Sequence, residues 1–257
     1  MEQFFLKHKD DICGSLIIDT ESGAIRSYKD EGAGLSPFLG NCNERLMKKW
    51  WEARAIPASR KMIQDVLKAN NYINTKVYLA KNLALSLTDS YWICPIDTEI
   101  LYKDFNFKNF SSYNNGQVPF HNDSSFDPNA SLGGQMEKYW DLNTDTPLLV
   151  KESYRYYGQQ AINELFATML HEKQNSTIPY VEYSVGETED GGLKCYCNSF
   201  TNKHIELVSA YEVIEGSKTQ NDLSTYNNYI EICAKLGNVF EPFSERGQAQ
   251  DYVIDSV

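Results

Sequence analysis

The order of motifs in the second half of the chain most constrains its fold. A loop with two adjacent glycines, Gly133 and Gly134, precedes an apolar strand pattern that ends in Lys151. A helix carrying Glu164 follows, because apolar residues recur at helical spacing over residues 159–172. Two further strand patterns come next, on either side of a Gly-Gly turn. This order predicts a small antiparallel sheet with one helix packed against it.

A strand lysine and a helix glutamate after a glycine-rich turn are typical of the small lobe of a protein kinase. At Gly133 and Gly134 the backbone can approach phosphate oxygens, because no Cβ stands in the way. Lys151 would then place a positive charge on the α- and β-phosphates, and Glu164 would hold the lysine extended through an ion pair. Taken singly, the glycines predict a turn and the two charged residues predict solvated positions.

Short segments around these residues resemble the HipA-like serine/threonine kinases. The loop over 131–138 reads SLGGQMEK, the helix begins with Asn163-Glu164, and residues 197–201 stand where that family has a hinge strand. The acidic and basic hinge residues of the family are absent, although the hinge aromatic is present. The resemblance implies that ATP is the cofactor and that it is bound by Ser131, Gly133, Gly134, Lys138, Lys151, Glu164 and Phe200.

The resemblance extends to the N-terminal part, where WWEARAIPASR and LSLTDSYWICP are similar to the amino-terminal extension of a HipA-related bacterial group. We therefore expect an α+β chain in three parts. A mixed α/β module would cover residues 1–115, and a kinase-like small lobe would cover 116–215. The first helices of a helical large lobe would cover 216–257.

Local patterns predict several elements within these parts. Alternation and a Glu-Ser-Gly turn predict a hairpin over 11–28. A helix over 43–54 has an asparagine at its start, and Pro57 and Ser59 would begin a second helix. A further helix, over 222–236, ends before a glycine. Residues 71–96 have no clear period, and their second half is dense in apolar residues.

The catalytic loop that the resemblance implies, D-x-H-x-x-N followed by a metal-binding aspartate, is absent from the sequence. The string His121-Asn122-Asp123 precedes the glycine loop and has the wrong order of residues. The last nine residues, AQDYVIDSV, resemble the helix that leads into the catalytic loop. We therefore expect a fragment or shortened form that is inactive alone, with weak or absent ATP binding, and with magnesium bound only in a full-length form.

Composition limits the other classes of function. The chain has 24 Lys and Arg against 35 Asp and Glu, a formal net charge of −11, which disfavours binding to nucleic acid or to an anionic membrane. Its six cysteines are scattered and do not predict a disulfide framework or a zinc site. The first residues lack the apolar core of a signal peptide, so we expect a cytoplasmic protein without a membrane span.

The implied activity of the parent protein is ATP-dependent phosphorylation of a serine or threonine in a protein substrate, in a toxin–antitoxin setting. An antitoxin, or a second copy bound through an exposed apolar lobe face, would be the partner. Two alternatives stay open: a non-catalytic nucleotide-binding or protein-interaction module, and a DNA-associated mobile-element protein. Without nucleotide, the loop over 131–138 is expected to be mobile, because two glycines leave little to order it.

Overall fold

The structure is a computed structural model that describes residues 1–105, 126–134, 136–154, 156–174 and 179–217. Within these ranges it contains two antiparallel four-stranded sheets and a set of short to medium helices. This arrangement confirms the predicted mixed α+β class. Three features of the sequence lie outside the described residues: the helix predicted over 222–236, the last nine residues and the string at 121–123.

The first sheet consists of four antiparallel strands in the order β3-β2-β1-β4. Strands β2 and β3 form the predicted hairpin, whereas β1 and β4 are additional. The strand bounds are β1 Glu2–His8, β2 Asp11–Asp19, β3 Ala24–Asp30 and β4 Tyr91–Pro95.

Gly23 closes the hairpin between β2 and β3 with φ at +68°, a conformation that favours glycine. Its carbonyl accepts a 2.8 Å hydrogen bond from the indole Nε1 of Trp51. A Cβ at this position would lie 2.3 Å from the backbone carbon of Lys76. The turn therefore fits closely between two helices of the N-terminal part.

Three helices follow the hairpin: α1 Glu44–Arg54, α2 Lys61–Ala69 and α3 Thr75–Lys81. Helix α1 packs against β3, and α3 packs against both α1 and α2. Helix α1 is the predicted one, and the side chain of Asn43 caps it by accepting from the backbone N–H of Leu46 at 3.0 Å. Both Trp50 and Trp51 are buried in the core, which is the usual place for adjacent tryptophans in a helix. Helix α2 begins two residues after Ser59.

Helix α3 gives a direct test of local stabilisation, because Asn74 caps it with two hydrogen bonds. Its Oδ1 accepts from the backbone N–H groups of Lys76 and Val77, both at 2.9 Å. We expect Asn74→Ala to lower the free energy of unfolding by about 1 kcal/mol, as measured by urea denaturation. The control is Asn70→Ala, at the exposed end of α2, and an equal loss in both variants would contradict the capping role.

The second sheet consists of antiparallel strands in the order β5-β6-β8-β7. Its strands are β5 Glu137–Asp141, β6 Leu148–Ser153, β7 Ser184–Glu187 and β8 Leu193–Asn198, and helix α5 Gln159–Gln174 packs against it. The remaining helices are α4 Tyr102–Phe105, α6 Ala210–Ser217 and the 3₁₀ turns Pro128–Ser131 and Tyr156–Gly158. Strand β6, helix α5 and strand β8 confirm the predicted order of elements.

One hydrophobic cluster contains residues from both sheets. Phe4 and Trp92 of the first sheet belong to it together with Trp140, Leu149 and Cys197 of the second. The apolar run in the second half of 71–96 is also buried in this cluster. No helix in the described part of the chain has the length and apolarity that crossing a bilayer requires.

Helix α5 departs from the expected burial of its apolar stripe. Among its described side chains, Ala161 and Thr168 are buried. Four larger apolar side chains of the same helix are exposed, namely Ile162, Phe166, Met169 and Leu170. The 3.6-residue period thus identified the helix correctly, but most of the stripe does not lie in the core.

Candidate functional site

The ion pair that the motif order predicts is present. The Lys151 Nζ on β6 donates to Glu164 Oε1 on α5 at 2.6 Å, with side chains 16% and 31% exposed. The same Nζ lies 4.3 Å from the ring centroid of Tyr183, within the range of a cation–π contact. Lys151 lies inside its strand and not at the end, because β6 continues to Ser153.

Lys138 lies on β5 directly opposite Lys151, as its cross-strand partner. The two side chains therefore share one face of the sheet, although like charges in this position are unfavourable. Burial, together with the positive charges of Arg60 and Lys151, lowers the pKa of Lys138 to about 8, against the opposing effect of Glu164. Positive charge is thus concentrated on this side of the sheet.

The glycine loop, which was expected to be mobile without nucleotide, is contacted by a buried arginine. Arg60, which is 3% exposed, donates through Nη2 to the carbonyl oxygens of Leu132 and Gly133, both at 2.7 Å. Its Nε donates to the carbonyl oxygen of Gly134 at 3.0 Å. Lys138, which was expected in the loop over 131–138, belongs to strand β5.

Arg60 is the site residue that the sequence analysis missed. It occupies the N-cap position of α2, and its side chain makes no capping hydrogen bond. A cation is unfavourable at this end of a helix, where the dipole is positive, so an arginine followed by Lys61 was a usable signal. Burial lowers the pKa of Arg60 to about 10, and the negative charge of Glu137 opposes this shift.

Both glycines are required by the surrounding protein. A Cβ on Gly133 would lie 2.3 Å from the carbonyl oxygen of Ala53, at the end of α1. Gly134 has φ at +85°, and a Cβ there would lie 2.9 Å from Lys138 Nζ. The loop therefore runs between the N-terminal helices and the ammonium group of Lys138.

Two of the expected binding residues stand apart from this group. Ser131 is buried at the end of the 3₁₀ turn, where its hydroxyl donates to the Pro128 carbonyl at 3.5 Å. Phe200 follows the end of β8 and packs against the hydrophobic cluster, five positions beyond the strand partner of Lys151. The structure thus brings together Gly133, Gly134, Lys138, Lys151 and Glu164.

Comparison with protein families, with curated proteins and with solved structures finds no match to this chain. The likeness to HipA-like kinases therefore depends on the short motifs alone. Within the described ranges, no group of three or more His, Cys, Asp or Glu residues is placed to hold a metal ion. The five cysteines in these ranges are buried free thiols.

Proposed function

We propose that the described part of this chain contains an ATP-binding lobe related to the HipA-like serine/threonine kinases. The observation that carries the proposal is the 2.6 Å contact between Lys151 Nζ and Glu164 Oε1. In protein kinases a strand lysine serves the nucleotide phosphates while a helix glutamate positions it. Here the same two residue types occur in the same order and are in contact.

The charge distribution around this pair also supports anion binding. An exposed ion pair contributes little to stability, and a second lysine opposite Lys151 is unfavourable on its own. Lys138 and Arg60 add positive charge beside an ion pair whose lysine is mostly buried. A solvated surface ion pair would not account for this excess of positive charge. A bound polyphosphate would neutralise it.

We assign a role to each residue near the proposed nucleotide. Lys151 binds the α- and β-phosphates, Glu164 orients Lys151, and Lys138 neutralises further phosphate charge. Gly133 and Gly134 allow the backbone to approach a phosphate. ATP would supply the phosphoryl group for transfer to a protein serine or threonine, and an antitoxin or a second copy is the proposed partner.

The sequence lacks the catalytic-loop motif, so the proposed activity of this chain is nucleotide binding without phosphoryl transfer. Thermal unfolding with and without magnesium-ATP tests the first part, since a ligand at 100 times its Kd stabilises by about 2.7 kcal/mol. The absence of any shift in the unfolding temperature at millimolar ATP would overturn the proposal.

Incubation with radiolabelled ATP and a generic protein substrate tests the second part, the absence of phosphoryl transfer. Transfer that Lys151→Ala abolishes would place catalytic residues elsewhere, with Asp127 the first described candidate.

ATP binding is expected to weaken as the pH rises through about 8, the pKa to which burial and neighbouring charges lower Lys138. Above that pH the ammonium loses its proton and one positive charge leaves the site. A terminal phosphate, which titrates near pH 6, is already ionised there, so the ligand does not produce this slope. The measurement is the Kd for ATP at several pH values on either side of 8.

Lys138→Arg is the matched control for this pH dependence, because a guanidinium keeps its charge throughout this range. We expect the Kd of the arginine variant to change much less with pH than that of the unmodified chain. An identical slope in both proteins would show that another group titrates.

A further inference from the structure

Arg60 connects the N-terminal part of the chain to the glycine loop through three consecutive carbonyl groups. Its guanidinium contacts the oxygens of Leu132, Gly133 and Gly134. A trans peptide directs its C=O and its N–H to opposite sides. The N–H groups of Gly133 and Gly134 therefore point away from Arg60.

These two amide groups are available to a ligand. Neither is hydrogen-bonded to an acceptor among the described residues. Gly134 is exposed and Gly133 is half-buried. Gly134 has the left-handed φ that one residue of an anion-binding concavity of successive N–H groups adopts. The ammonium of Lys138 lies beside Gly134, so the same place also has a positive charge.

We propose that Arg60 is a positioning residue that holds the loop with the Gly133 and Gly134 amides directed at a phosphate oxygen. The N-terminal part of the chain then completes the phosphate site, although Arg60 itself does not contact the nucleotide. This inference rests on the proposed function. If Arg60 only joined two parts of the chain, its substitution would not affect phosphate binding specifically. In the proposed role, it does.

The buried guanidinium of Arg60 is only partly satisfied by hydrogen bonds within the described part of the chain. Arg60 Nη1 is buried and makes no hydrogen bond within the described part of the chain. An unpaired buried donor on a charged group is destabilising. The planar fork of an arginine suits adjacent carbonyl oxygens, so Arg60 fixes the direction of three consecutive peptide groups in spite of its unpaired Nη1.

The test compares three ligands, ATP, pyrophosphate and adenosine, on Arg60→Ala and Arg60→Lys. We expect Arg60→Ala to weaken ATP and pyrophosphate binding about tenfold or more, and to leave adenosine binding unchanged. Arg60→Lys should recover part of the loss, because an ammonium contacts fewer of the carbonyls. The control is Arg26→Ala, which removes an exposed arginine of the N-terminal part and should change none of the three.

Gly134→Ala keeps the test decisive if Arg60→Ala does not fold. It leaves Arg60 in place but strains the loop at a positive φ and moves the Lys138 ammonium. We expect it to weaken ATP and pyrophosphate and to spare adenosine. Circular dichroism identifies which variants are folded, and ligand binding is compared among the folded variants only.

The outcomes distinguish this inference from the proposed function. If the unmodified chain binds ATP and Lys151→Met removes that binding, but folded Arg60 variants bind like the unmodified chain, the inference is overturned and the proposed function stands. An equal loss for all three ligands would also overturn it, because it indicates general destabilisation. Pyrophosphate binding that depends on Arg60, without ATP binding, would support the anion site and refute the nucleotide function. Binding of neither would refute both.

Discussion

We expect Lys151→Met to remove most of the proposed ATP binding and to leave the fold intact. Methionine keeps the apolar stem that packs beside Tyr183 and deletes the charge that faces Glu164. A hydrogen bond to a charged group contributes about 1.5–3 kcal/mol, so Kd for ATP should rise by about 10- to 150-fold. Isothermal titration calorimetry with magnesium-ATP measures the change, and urea denaturation checks that the fold is retained.

Lys194→Met is the matched control, because Lys194 lies on the neighbouring strand β8 next to Cys195, the strand partner of Lys151. Successive residues of a strand face opposite sides of the sheet, so this substitution removes the same charge from the other face. We expect Lys194→Met to leave ATP binding unchanged.

Glu164→Gln should weaken ATP binding less than Lys151→Met, since it misplaces the lysine without removing it. Equal losses for Lys151→Met and Lys194→Met would show that only net charge matters.

Elements governed by local sequence could be predicted. Asn43 and the apolar spacing behind it identify α1, and the period over 159–172 identifies α5, because capping and helical periodicity are properties of neighbouring residues. The order strand, helix, strand, strand then placed Lys151 and Glu164 near each other. Few residues of a helix that crosses a small sheet can reach a given strand residue, so this order made a contact between Lys151 and Glu164 the expected one.

Contacts between distant residues could not be predicted in the same way. Strand β5 contains charged residues at both ends, so Lys138 resembled a loop residue until its pairing with β6 was known. The contacts of Arg60 join positions more than 70 residues apart, and no local pattern specifies them. Strand β1 was missed for another reason: Phe4 and Leu6 are buried and Phe5 between them is half-buried, but all three are apolar, so the sequence shows a short apolar run and no period of two.

Asp89→Ala is expected to have the largest effect on stability, because it leaves the buried Arg54 without its counter-ion. The guanidinium donates to both carboxylate oxygens of Asp89, at 2.6 and 2.8 Å, and its side chain is 6% exposed. Removing one partner of a buried pair costs about 3–5 kcal/mol. This is a large share of the roughly 5–15 kcal/mol that stabilises a typical domain. Urea denaturation should show a midpoint shifted strongly to lower concentration.

Glu44→Ala, which breaks the exposed Glu44–Lys48 pair on α1, is the control and should change stability by less than about 1 kcal/mol. The double variant Arg54→Met/Asp89→Leu separates loss of the charge pair from loss of packing, because apolar replacements remove both charges together. We expect it to recover only part of the stability. Arg54 also donates to the carbonyls of Ala84 and Tyr91, at 2.9 and 3.0 Å, and these lose their donor. If Asp89→Ala is no more destabilising than Glu44→Ala, Arg54 is not held in the buried state that these contacts define.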